Sequence, residues 1–433
     1  MKNNIMIFMI ESLRYDRLFG THIPKKYKMN EILEFAKDST RFHKCINVGN
    51  STWSSTVATL MGTDMAYHHN SMYHWQNPLN ETTAVNTYSD GLFKILNDNG
   101  YETGAFFSPD KEFARTVYYH LLDGVNGKKI GPIWGCDEKQ IIISKGKEKN
   151  FNSIIDFITE NSNKSFATFF QAYDDHFSLA PPGIDGRLEC FKETSFFFAK
   201  IFKKLKELKI YDKTDIYILG DHGDSYFAFS ESSGDDKLQH ACTPFHTSCH
   251  VPLLAKSNYL KKADRHDLVS QIDIYSTVLN SLNIKYKQNK LLENHFSIDL
   301  NKKIRKYVIT QNRFVGQSLN SSTSGLKLSK HGRFPKGAGI SMGISITKGN
   351  YVYVKNENGV YLFNHIIDPL NVSNLLRGFK EITFPHQHVY NWFDKKMMKE
   401  IKEKIIPDFE NMFKDLSSKG YINKSLNDIR PNI

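Results

Sequence analysis

The apolar positions of this chain form short blocks that alternate with longer amphipathic stretches. The segments NIMIFMI (Asn4–Ile10) and FATFFQAY (Phe166–Tyr173) are apolar almost throughout, which is typical of strands covered on both faces. The stretch TYSDGLFKILNDNGYETGAFF predicts a helix, a turn at Asn99-Gly100 and a strand at Glu102–Phe107. VPLLAKS (Val251–Ser257) predicts a further short strand. Because strands alternate with helices, we predict a doubly wound, mostly parallel α/β sheet.

Other elements of the same kind fill the spaces between these strands. A helix is predicted near Lys28–Lys37, and the small-residue stretch VATLMG predicts another. FKETSFFFAKIFKKLKEL has the pattern of a long amphipathic helix, and the strand DIYILGD follows it. We assign the whole of LVSQIDIYSTVLNSL to one more helix. These elements continue the alternation and place helices on both faces of the sheet.

The pattern changes near residue 317. Residues 317–339 are rich in Ser, Gly, Lys and Arg and poor in apolar side chains, so we predict a long loop there. The next stretch, ISMGISITKGNYVYVKNENGVYLFN, alternates like antiparallel strands, with a turn at Asn358-Gly359. A charged amphipathic helix is predicted at Asn391–Lys419. We therefore predict two units, a large α/β unit over 1–340 and a small antiparallel sheet with a terminal helix over 341–433.

Composition adds one constraint, the excess of positive charge. The chain has 433 residues, of which 40% are hydrophobic and 24% charged, and this is an ordinary globular composition. A net charge of +11 and a pI near 9.1 point to an anionic partner, either nucleic acid, an anionic lipid surface, or substrates that carry phosphate or sulfate. The alternative is that the charge only reflects a composition rich in Lys, Asn and Ile.

The cysteines and the apolar runs predict the compartment. The five cysteines are scattered and form no CxxC pair, which excludes a disulfide framework and favours a reducing compartment. No apolar run approaches the roughly 18 residues that a membrane span needs. NIMIFMIES becomes polar too quickly for a signal peptide and predicts a buried strand instead. We therefore expect a cytoplasmic protein without a transmembrane segment.

Two predicted strands end in residues that bind metals. The first strand ends at Glu11, and DIYILGD ends at Asp221, which His222 follows. In open α/β sheets, ligands bind beyond the carboxyl ends of the strands. Carboxylates and imidazole at that edge are suited to zinc or manganese. A single acidic residue after a strand is usually a solvated terminus, but two ionisable residues after a buried strand indicate a site.

The stretch GNSTWSSTVATLMG places six Ser and Thr residues at the start of a predicted helix. One or two hydroxyls would suffice to cap the first turn. The surplus suggests that one hydroxyl has a chemical role. A metal held by Glu11, Asp221 and His222 has room for a fourth ligand, and a hydroxyl at the positive end of a helix would be both that ligand and a nucleophile.

These segments, in this order, resemble the sulfatase branch of the alkaline phosphatase superfamily. IMIFMIESLRYD is similar to the first strand of that family with its acidic metal ligand, and TWSSTVATLMG is similar to the nucleophile helix. Alignment on Gly62 places the nucleophile at Thr52 and a family serine, which we expect to contact substrate, at Ser55. ILGDHGD resembles the family motif that supplies Asp221 and His222 as ligands. The resemblance implies one divalent ion on Glu11, Thr52, Asp221 and His222, zinc or manganese first and calcium or magnesium as alternatives.

The resemblance extends to residues around the substrate. YDDHFSLAPP implies a substrate-contacting histidine at His176, with Asp174 and Asp175 as adjacent alternatives. QHACTPFHTSCHVPLL implies a catalytic histidine at His240. His246 and His250 lie nearby and are alternatives to it, and Lys237 is a further candidate for contact with the anion. The basic loop carries four more cations that would suit an anionic substrate or simply face solvent, Lys327, Lys330, Arg333 and Lys336.

The residue at the nucleophile position separates the possible reactions. Sulfatases mature a Cys or Ser of C/S-x-P-S-R to formylglycine, whereas this chain has Thr52, with Ser54 and Thr56 in place of Pro and Arg. A threonine nucleophile and Glu11 as first ligand resemble the phosphoethanolamine and phosphoglycerol transferases of the family. Ser51, Ser54 and Ser55 are the alternative nucleophiles, and those that are not reactive are predicted to be caps.

The resemblance implies a sulfatase-like catalytic domain over 1–340 and cleavage or transfer at a phosphate ester through a phospho-threonine. Sulfate-ester hydrolysis on the same fold is the first alternative, and a metal-binding scaffold without turnover is the second. The expected partner is a phosphate- or sulfate-ester substrate carried by a glycan or a lipid head group, and no nucleic acid is expected. The sequence contains no indication of an oligomeric state.

Overall fold

The architecture was obtained from a computed structural model of the chain. It describes residues 2–63, 91–107, 141–143, 146–172, 175, 181, 183–224, 244–286, 297–301, 305–312, 343–356, 359–366, 375–376, 383–384, 387–388 and 395–418. The strands are β1 (Asn4–Ile10), β2 (Thr40–Ile46), β3 (Glu102–Phe107), β4 (Ile141–Ile143), β5 (Phe166–Ala172), β6 (Thr214–Gly220), β7 (His250–Lys256), β8 (Asp264–Val269), β9 (Val308–Asn312), β10 (Gly343–Lys348), β11 (Tyr351–Asn356), β12 (Gly359–Asn364), β13 (Thr383–Phe384) and β14 (Gln387–His388).

The helices lie between these strands and at the end of the chain. They are α1 (Tyr15–Phe19), α2 (Asn30–Ala36), α3 (Thr52–Met61), α4 (Leu92–Asp98), α5 (Lys147–Glu160), α6 (Gly183–Glu207), α7 (His246–Cys249), α8 (Asp273–Ser281), α9 (Lys395–Glu400) and α10 (Ile406–Ser418). Short 3-10 turns occur at Lys25–Tyr27 and Tyr211–Lys213, and a π-helical turn at Ile401–Ile405 joins α9 to α10.

The large sheet has eight strands in the order β4-β3-β5-β1-β6-β7-β2-β8. All of them run in one direction except β7, which is antiparallel to both of its neighbours. The central strands β5, β1 and β6 are buried along their whole length, as their continuous apolar sequences predict. The predicted mostly parallel sheet is therefore confirmed.

The side chains of β1 show how the sheet is covered on both faces. Ile5, Ile7 and Met9 point to one core, which α3, α4 and α8 complete. Met6, Phe8 and Ile10 point to the other core, which α2, α5 and α6 complete. This alternation follows from the two-residue period of a strand, and it gives the helix–sheet–helix layering of a doubly wound fold.

A second, smaller sheet has four antiparallel strands in the order β12-β11-β10-β9. Its inner face packs against α10, where Tyr353 stacks on Phe409 with ring centroids 5.1 Å apart. β9 (Val308–Asn312) belongs to this sheet although it precedes residue 340. The predicted boundary at 340/341 therefore runs through the small sheet, and the division into two domains stays a prediction.

One strand of the large sheet differs from the prediction. The stretch LVSQIDIYSTVLNSL is predicted to be wholly helical, but β8 ends at Val269 and α8 begins only at Asp273. Among the described strands β8 lies at the edge of the sheet and pairs with β2 alone, which fits its mostly polar DRHDLV sequence. The predicted loop at 317–339 lies outside the described residues. None of the described helices has the length and apolar character that a membrane crossing requires.

Candidate active site

The site begins where two adjacent parallel strands end. β1 and β6 pair in register so that Ile10 lies opposite Gly220, and the next residue on each strand is Glu11 or Asp221. The backbone N–H of Asp221 donates to the carbonyl of Ile10 at 3.1 Å, which extends this pairing by one residue. The two carboxylates therefore meet at the carboxyl edge of the sheet, as predicted from the strand ends.

Three side chains form a compact, buried set of ligand atoms. Glu11, Asp221 and His222 are each 0% exposed, and one ligand atom from each lies within 4.8 Å of the others. The Nε2 atom of His222 is 3.4 Å from Glu11 Oε1 and 3.6 Å from Asp221 Oδ2. The other ring nitrogen, Nδ1, lies 2.7 Å from the carbonyl of Gly223 and donates to it, so Nε2 is the nitrogen that faces the carboxylates.

Neighbouring groups hold the carboxylates in place. The backbone N–H groups of Ser12 and His222 both donate to Asp221 Oδ1 at 2.7 Å. The Ser12 hydroxyl donates to Glu11 Oε1 at 2.8 Å, and Gln171 Nε2 donates to Asp221 Oδ2 at 3.2 Å. Ser12 has a φ of 52°, a left-handed conformation uncommon for a residue with a side chain, and it bonds to both acids from there.

Burial gives these acids unusual pKa values. Burial raises the pKa of Glu11 to about 8, and the negative charge of Asp221 adds to the rise. Burial also raises the pKa of Asp221 to about 6. Two carboxylates that lie this close together and away from water repel each other, so a cation bound between them is favourable. Together with the imidazole of His222 they make a donor set that fits one divalent metal ion.

Thr52 contributes to the site from helix α3. It is the first residue of α3, after the N-cap Ser51 with extended φ and ψ of −142° and 151°. The Thr52 hydroxyl donates to Glu11 Oε2 at 2.8 Å and lies 3.3 Å from His222 Nε2. The structure therefore brings together the four predicted metal ligands. Within the described contacts, Thr52 is the residue of the serine- and threonine-rich stretch whose hydroxyl bonds to one of the acids.

Ser54 and Ser55 are not helix caps, contrary to our prediction, and the N-cap residue Ser51 makes no side-chain capping hydrogen bond. Ser54 Oγ donates to the Ser51 carbonyl at 2.9 Å, and the two hydroxyls lie 2.9 Å apart. Ser55 Oγ donates to the Gly49 carbonyl at 3.2 Å and is completely buried. Both serines lie inside α3, three and four residues after the N-cap Ser51, too late to accept hydrogen bonds from the free N–H groups of the first turn, so their hydroxyls donate to carbonyls instead. The substrate contact predicted for Ser55 stays a prediction.

Several predicted site residues lie outside the described part of the chain. These are His176, His240, Lys237, Asp174 and the four cations of the basic loop. Among the alternatives that are described, Asp175 is bonded to Lys147 at 2.9 Å and to Thr194 at 2.8 Å. The catalytic and substrate-binding roles of the undescribed residues stay predictions.

The histidines offered as alternatives to His240 belong to a ring stack. His246 stacks between His250 and His365, with centroid distances of 4.5 and 4.7 Å, and His250 stacks on Tyr15 at 4.4 Å. Burial lowers the pKa of His250 to about 4 and that of His246 well below its ordinary value. Such groups are neutral at physiological pH, so they are poor proton donors to a leaving group.

Next to the ligands lies an ionic cluster that the sequence did not reveal. Asp224, two residues after His222, is buried and bonds to Arg17 Nη2 at 2.6 Å. Burial alone would raise the pKa of Asp224, but Arg17, Arg187 and Arg14 outweigh it and hold the pKa at about 2. Burial lowers the pKa of Arg17 to about 10.

Comparison with known proteins agrees with this geometry. The family model described as Sulfatase matches residues 3–284, which is more than half of the chain and includes β1, α3 and β6. The chain belongs to the sulfatase family. Comparison with curated proteins found no match.

Solved structures support the fold of this sulfatase-family chain. A 2-O GAG sulfatase shares 14% identity with a TM-score of 0.63, over 100% of this chain and 97% of the other. A protein in complex with its substrate D-glucosamine-2-N,6-O-disulfate shares 12% identity with a TM-score of 0.60, over 99% and 100%. A member of the alkaline phosphatase superfamily from Vibrio parahaemolyticus shares 14% identity with a TM-score of 0.54, over 83% and 79%. At these identities the likeness concerns the fold.

Proposed function

We propose that this chain is a metal-dependent hydrolase of anionic esters in which Thr52 is the nucleophile. The observation that carries the proposal is the position of the Thr52 hydroxyl, 2.8 Å from Glu11 Oε2 and 3.3 Å from His222 Nε2. A hydroxyl that starts an ordinary surface helix would bond to its own turn or to water. Here it faces a buried acid and a buried imidazole, which is the arrangement of an activated nucleophile.

The ligands of the proposed metal are Glu11, Thr52, Asp221 and His222. Zinc or manganese suits two carboxylates, one imidazole and a hydroxyl, and calcium or magnesium is the alternative. A divalent ion bound there would lower the pKa of the Thr52 hydroxyl and stabilise negative charge on the ester oxygens. We also propose that the chain is related to the phosphoethanolamine transferases of the family and that it is located in the cytoplasm.

The reaction proceeds in two displacements on the central sulfur or phosphorus atom. Thr52 Oγ1 forms a bond to that atom, its proton is positioned to pass to Glu11 Oε2, and the bond to the alcohol oxygen breaks. The departing alcohol takes a proton from His240 or His176, the acids predicted from the sequence. Water then attacks the same atom and gives a proton back to that histidine, the bond to Thr52 Oγ1 breaks, and Thr52 Oγ1 takes back its proton from Glu11, which releases the sulfate or phosphate. The N-terminus of α3 favours the negative charge throughout.

A sulfate ester is the first candidate substrate. Family membership and the fold neighbours support it, because the names of two of them refer to a sulfatase or to a sulfated sugar. A sulfated glycan is the carrier class that fits these neighbours. The net charge of +11 is compatible with any such polyanion.

A phosphate ester is the second candidate, and the identity of residue 52 favours it. Threonine keeps a plain hydroxyl and cannot become the aldehyde of sulfatases, and attack of this hydroxyl on phosphorus gives a phospho-threonine. Either water or an acceptor hydroxyl could receive the phosphoryl group. The identity of residue 52 thus supports a phosphate ester, whereas membership of the sulfatase family supports a sulfate ester.

Paired assays decide between the two ester classes. Metal-loaded protein would be tested with 4-nitrophenyl sulfate, 4-nitrophenyl phosphate and bis(4-nitrophenyl) phosphate, and kcat/KM compared. We expect the highest value with the sulfate ester. A higher value with either phosphate ester would favour the second candidate. Absence of turnover with all three, while metal is bound, would overturn the proposal in favour of a scaffold without activity.

A matched pair of variants tests the nucleophile. Thr52→Ala should abolish turnover, whereas Ser54→Ala, which removes a nearby hydroxyl bonded to the Ser51 carbonyl, should keep it. Acid quench and peptide mass spectrometry should find the covalent adduct on Thr52. An adduct on Ser51, Ser54 or Ser55, with normal turnover of Thr52→Ala, would assign the reaction to another hydroxyl.

A further inference from the structure

Three guanidinium groups surround one buried carboxylate behind the metal ligands. Arg14 and Arg17 come from the segment after β1, Arg187 comes from the first turns of α6, and Asp224 follows β6. All four residues are at most 5% exposed. The elements that carry them end or begin at the carboxyl edge of the sheet, so the cluster lies at the same edge as the active site.

The contacts inside this arginine cluster are unequal. Arg17 Nη2 bonds to Asp224 Oδ1 at 2.6 Å, and Arg14 makes a two-fold contact with Asp16, each arm 2.8 Å. Arg187 Nη2 approaches Asp224 Oδ2 only to 3.6 Å, which is too long for a hydrogen bond. A polar contact of this length suggests that a further group lies between or beside the partners.

Arg187 is buried without the hydrogen bonds that a guanidinium needs. Its side chain is 1% exposed, yet Nε, Nη1 and Nη2 make no hydrogen bond within the described part of the chain. Arg17 Nη1 also makes no hydrogen bond within the described residues. Arg305 provides the comparison, because it is equally buried and bonds to Asp273 through Nε and Nη2. A buried charged donor without partners costs free energy, so the contrast indicates a missing acceptor.

Asp175 does not supply the missing acceptor. It interacts electrostatically with Arg187, but its oxygens already accept hydrogen bonds from Lys147 and Thr194. Arg14 bonds to Asp16 and Arg17 bonds to Asp224, whereas Arg187 approaches Asp224 Oδ2 only to 3.6 Å. The three donor nitrogens of Arg187 therefore lack an acceptor within the described residues.

We propose that Arg17 and Arg187, beside Asp224, bind a small inorganic anion. The ligand class is a halide or a tetrahedral oxyanion, since Arg17 Nη1 and the three nitrogens of Arg187 make no hydrogen bond within the described residues and each can donate to such an ion. The anion would accept hydrogen bonds from both guanidinium groups and so link α6 to the segment that follows β1. This site is separate from the metal ligands and does not depend on the proposed reaction.

Thermal unfolding of the metal-loaded protein tests the site. Chloride or sulfate would be titrated against gluconate at constant ionic strength, because gluconate is too large for a buried site. We expect a saturable rise in Tm of roughly 4 °C with at least one of the two small anions. The absence of a saturable rise with both would overturn the proposal and leave water as the neighbour of Arg187.

Variants locate the effect. Arg187→Met should lose the anion response and should be at least as stable as the native protein in gluconate, because it removes a buried charge without a partner. Arg41→Met, which removes a partly exposed arginine paired with Asp264, should respond like the native protein. An equal response in Arg187→Met would show adventitious anion binding elsewhere and overturn the assignment.

Two further measurements keep the outcome clear. Glu11→Gln should disrupt the metal site but keep the anion response, so failure of the proposed reaction and failure of this inference are distinguishable. If Arg187→Met does not fold, crystals of the native protein grown in bromide provide the direct test. We expect an anomalous peak within hydrogen-bonding distance of Arg17 Nη1 and Arg187, and its absence would contradict the proposal.

Discussion

Replacing Glu11 by Gln should stabilise the metal-free protein at alkaline pH while disrupting its metal site. In the absence of metal, burial and Asp221 raise the pKa of Glu11 to about 8 from an ordinary value of 4.5. The folded state therefore holds a proton on Glu11 that the unfolded state has lost at neutral pH. The free energy of unfolding falls as the pH rises from 4.5 to 8, and the loss is complete above 8.

The size of this effect follows from the pKa difference. A change from 4.5 to about 8 corresponds to about 5 kcal/mol when the carboxylate is fully ionised. The amide in Glu11→Gln cannot ionise, but it disturbs the hydrogen bonds from Thr52 and Ser12, at about 1 kcal/mol each. At pH 8 about half of the native protein has an ionised Glu11, so we expect the variant to be more stable by about 2 kcal/mol there and by about 3 kcal/mol at pH 9, both without metal.

Urea unfolding in the presence of a chelator provides the assay, at several pH values between 4.5 and 9. The quantity of interest is the difference between variant and native protein, because the other titrating groups cancel in it. Glu34→Gln is the control, since Glu34 is exposed and pairs only with Lys37 among its described contacts. A native protein that is the more stable of the two at pH 8 without metal would refute this account of the buried acids.

The remaining predictions concern the nucleophile, the histidine stack and the helix that carries Thr52. Thr52→Ser should retain part of the activity, since the hydroxyl survives but loses the methyl group that restricts its rotamer, and kcat measures this. The buried histidines should lower the stability as the pH drops below about 6.5, because burial keeps the pKa of His250 near 4 and that of His246 also low, so the unfolded chain binds those protons first. Urea unfolding of the native protein and of His250→Phe from pH 7 to 5 measures this, since Glu11 and Asp221 titrate in both proteins, and the same pH dependence in the two proteins would contradict it. Gly62→Ala should destabilise by roughly 2–4 kcal/mol in the same assay, because Gly62 has a φ of 68° and a Cβ there would lie 2.5 Å from Tyr275 Cγ; an unchanged midpoint would show that Tyr275 moves aside.

The parts of the site that were predictable depend on local sequence. Glu11 and Asp221 each follow a continuous apolar run, and such a run indicates a buried strand and where it ends. Because ligands gather at the carboxyl ends of parallel strands, the meeting of these two acids could be expected from the sequence alone. Thr52 required the family resemblance, since six hydroxyls in one stretch are equivalent by composition.

The parts that were missed depend on contacts between distant segments. Gln171 reaches Asp221 only because β5 pairs with β1 in one register, and nothing near Gln171 in the sequence indicates that. Arg187, near the start of α6, approaches Asp224, which follows β6, and nothing near either residue in the sequence indicates this contact. The caps predicted at Ser54 and Ser55 are wrong because helix α3 begins at Thr52, which leaves these serines three and four residues after the N-cap position, where a hydroxyl no longer reaches the free N–H groups.

The metal content of purified protein tests the central claim most directly. Protein prepared without chelators would be analysed for zinc, manganese, calcium and magnesium beside Asp221→Ala and the control Asp264→Ala, which removes a surface acid paired with Arg41. We predict about one equivalent of a single divalent metal in the native protein and in the control, and little in Asp221→Ala. Full retention of that metal by Asp221→Ala would contradict the assignment of Glu11, Thr52, Asp221 and His222 as a metal centre.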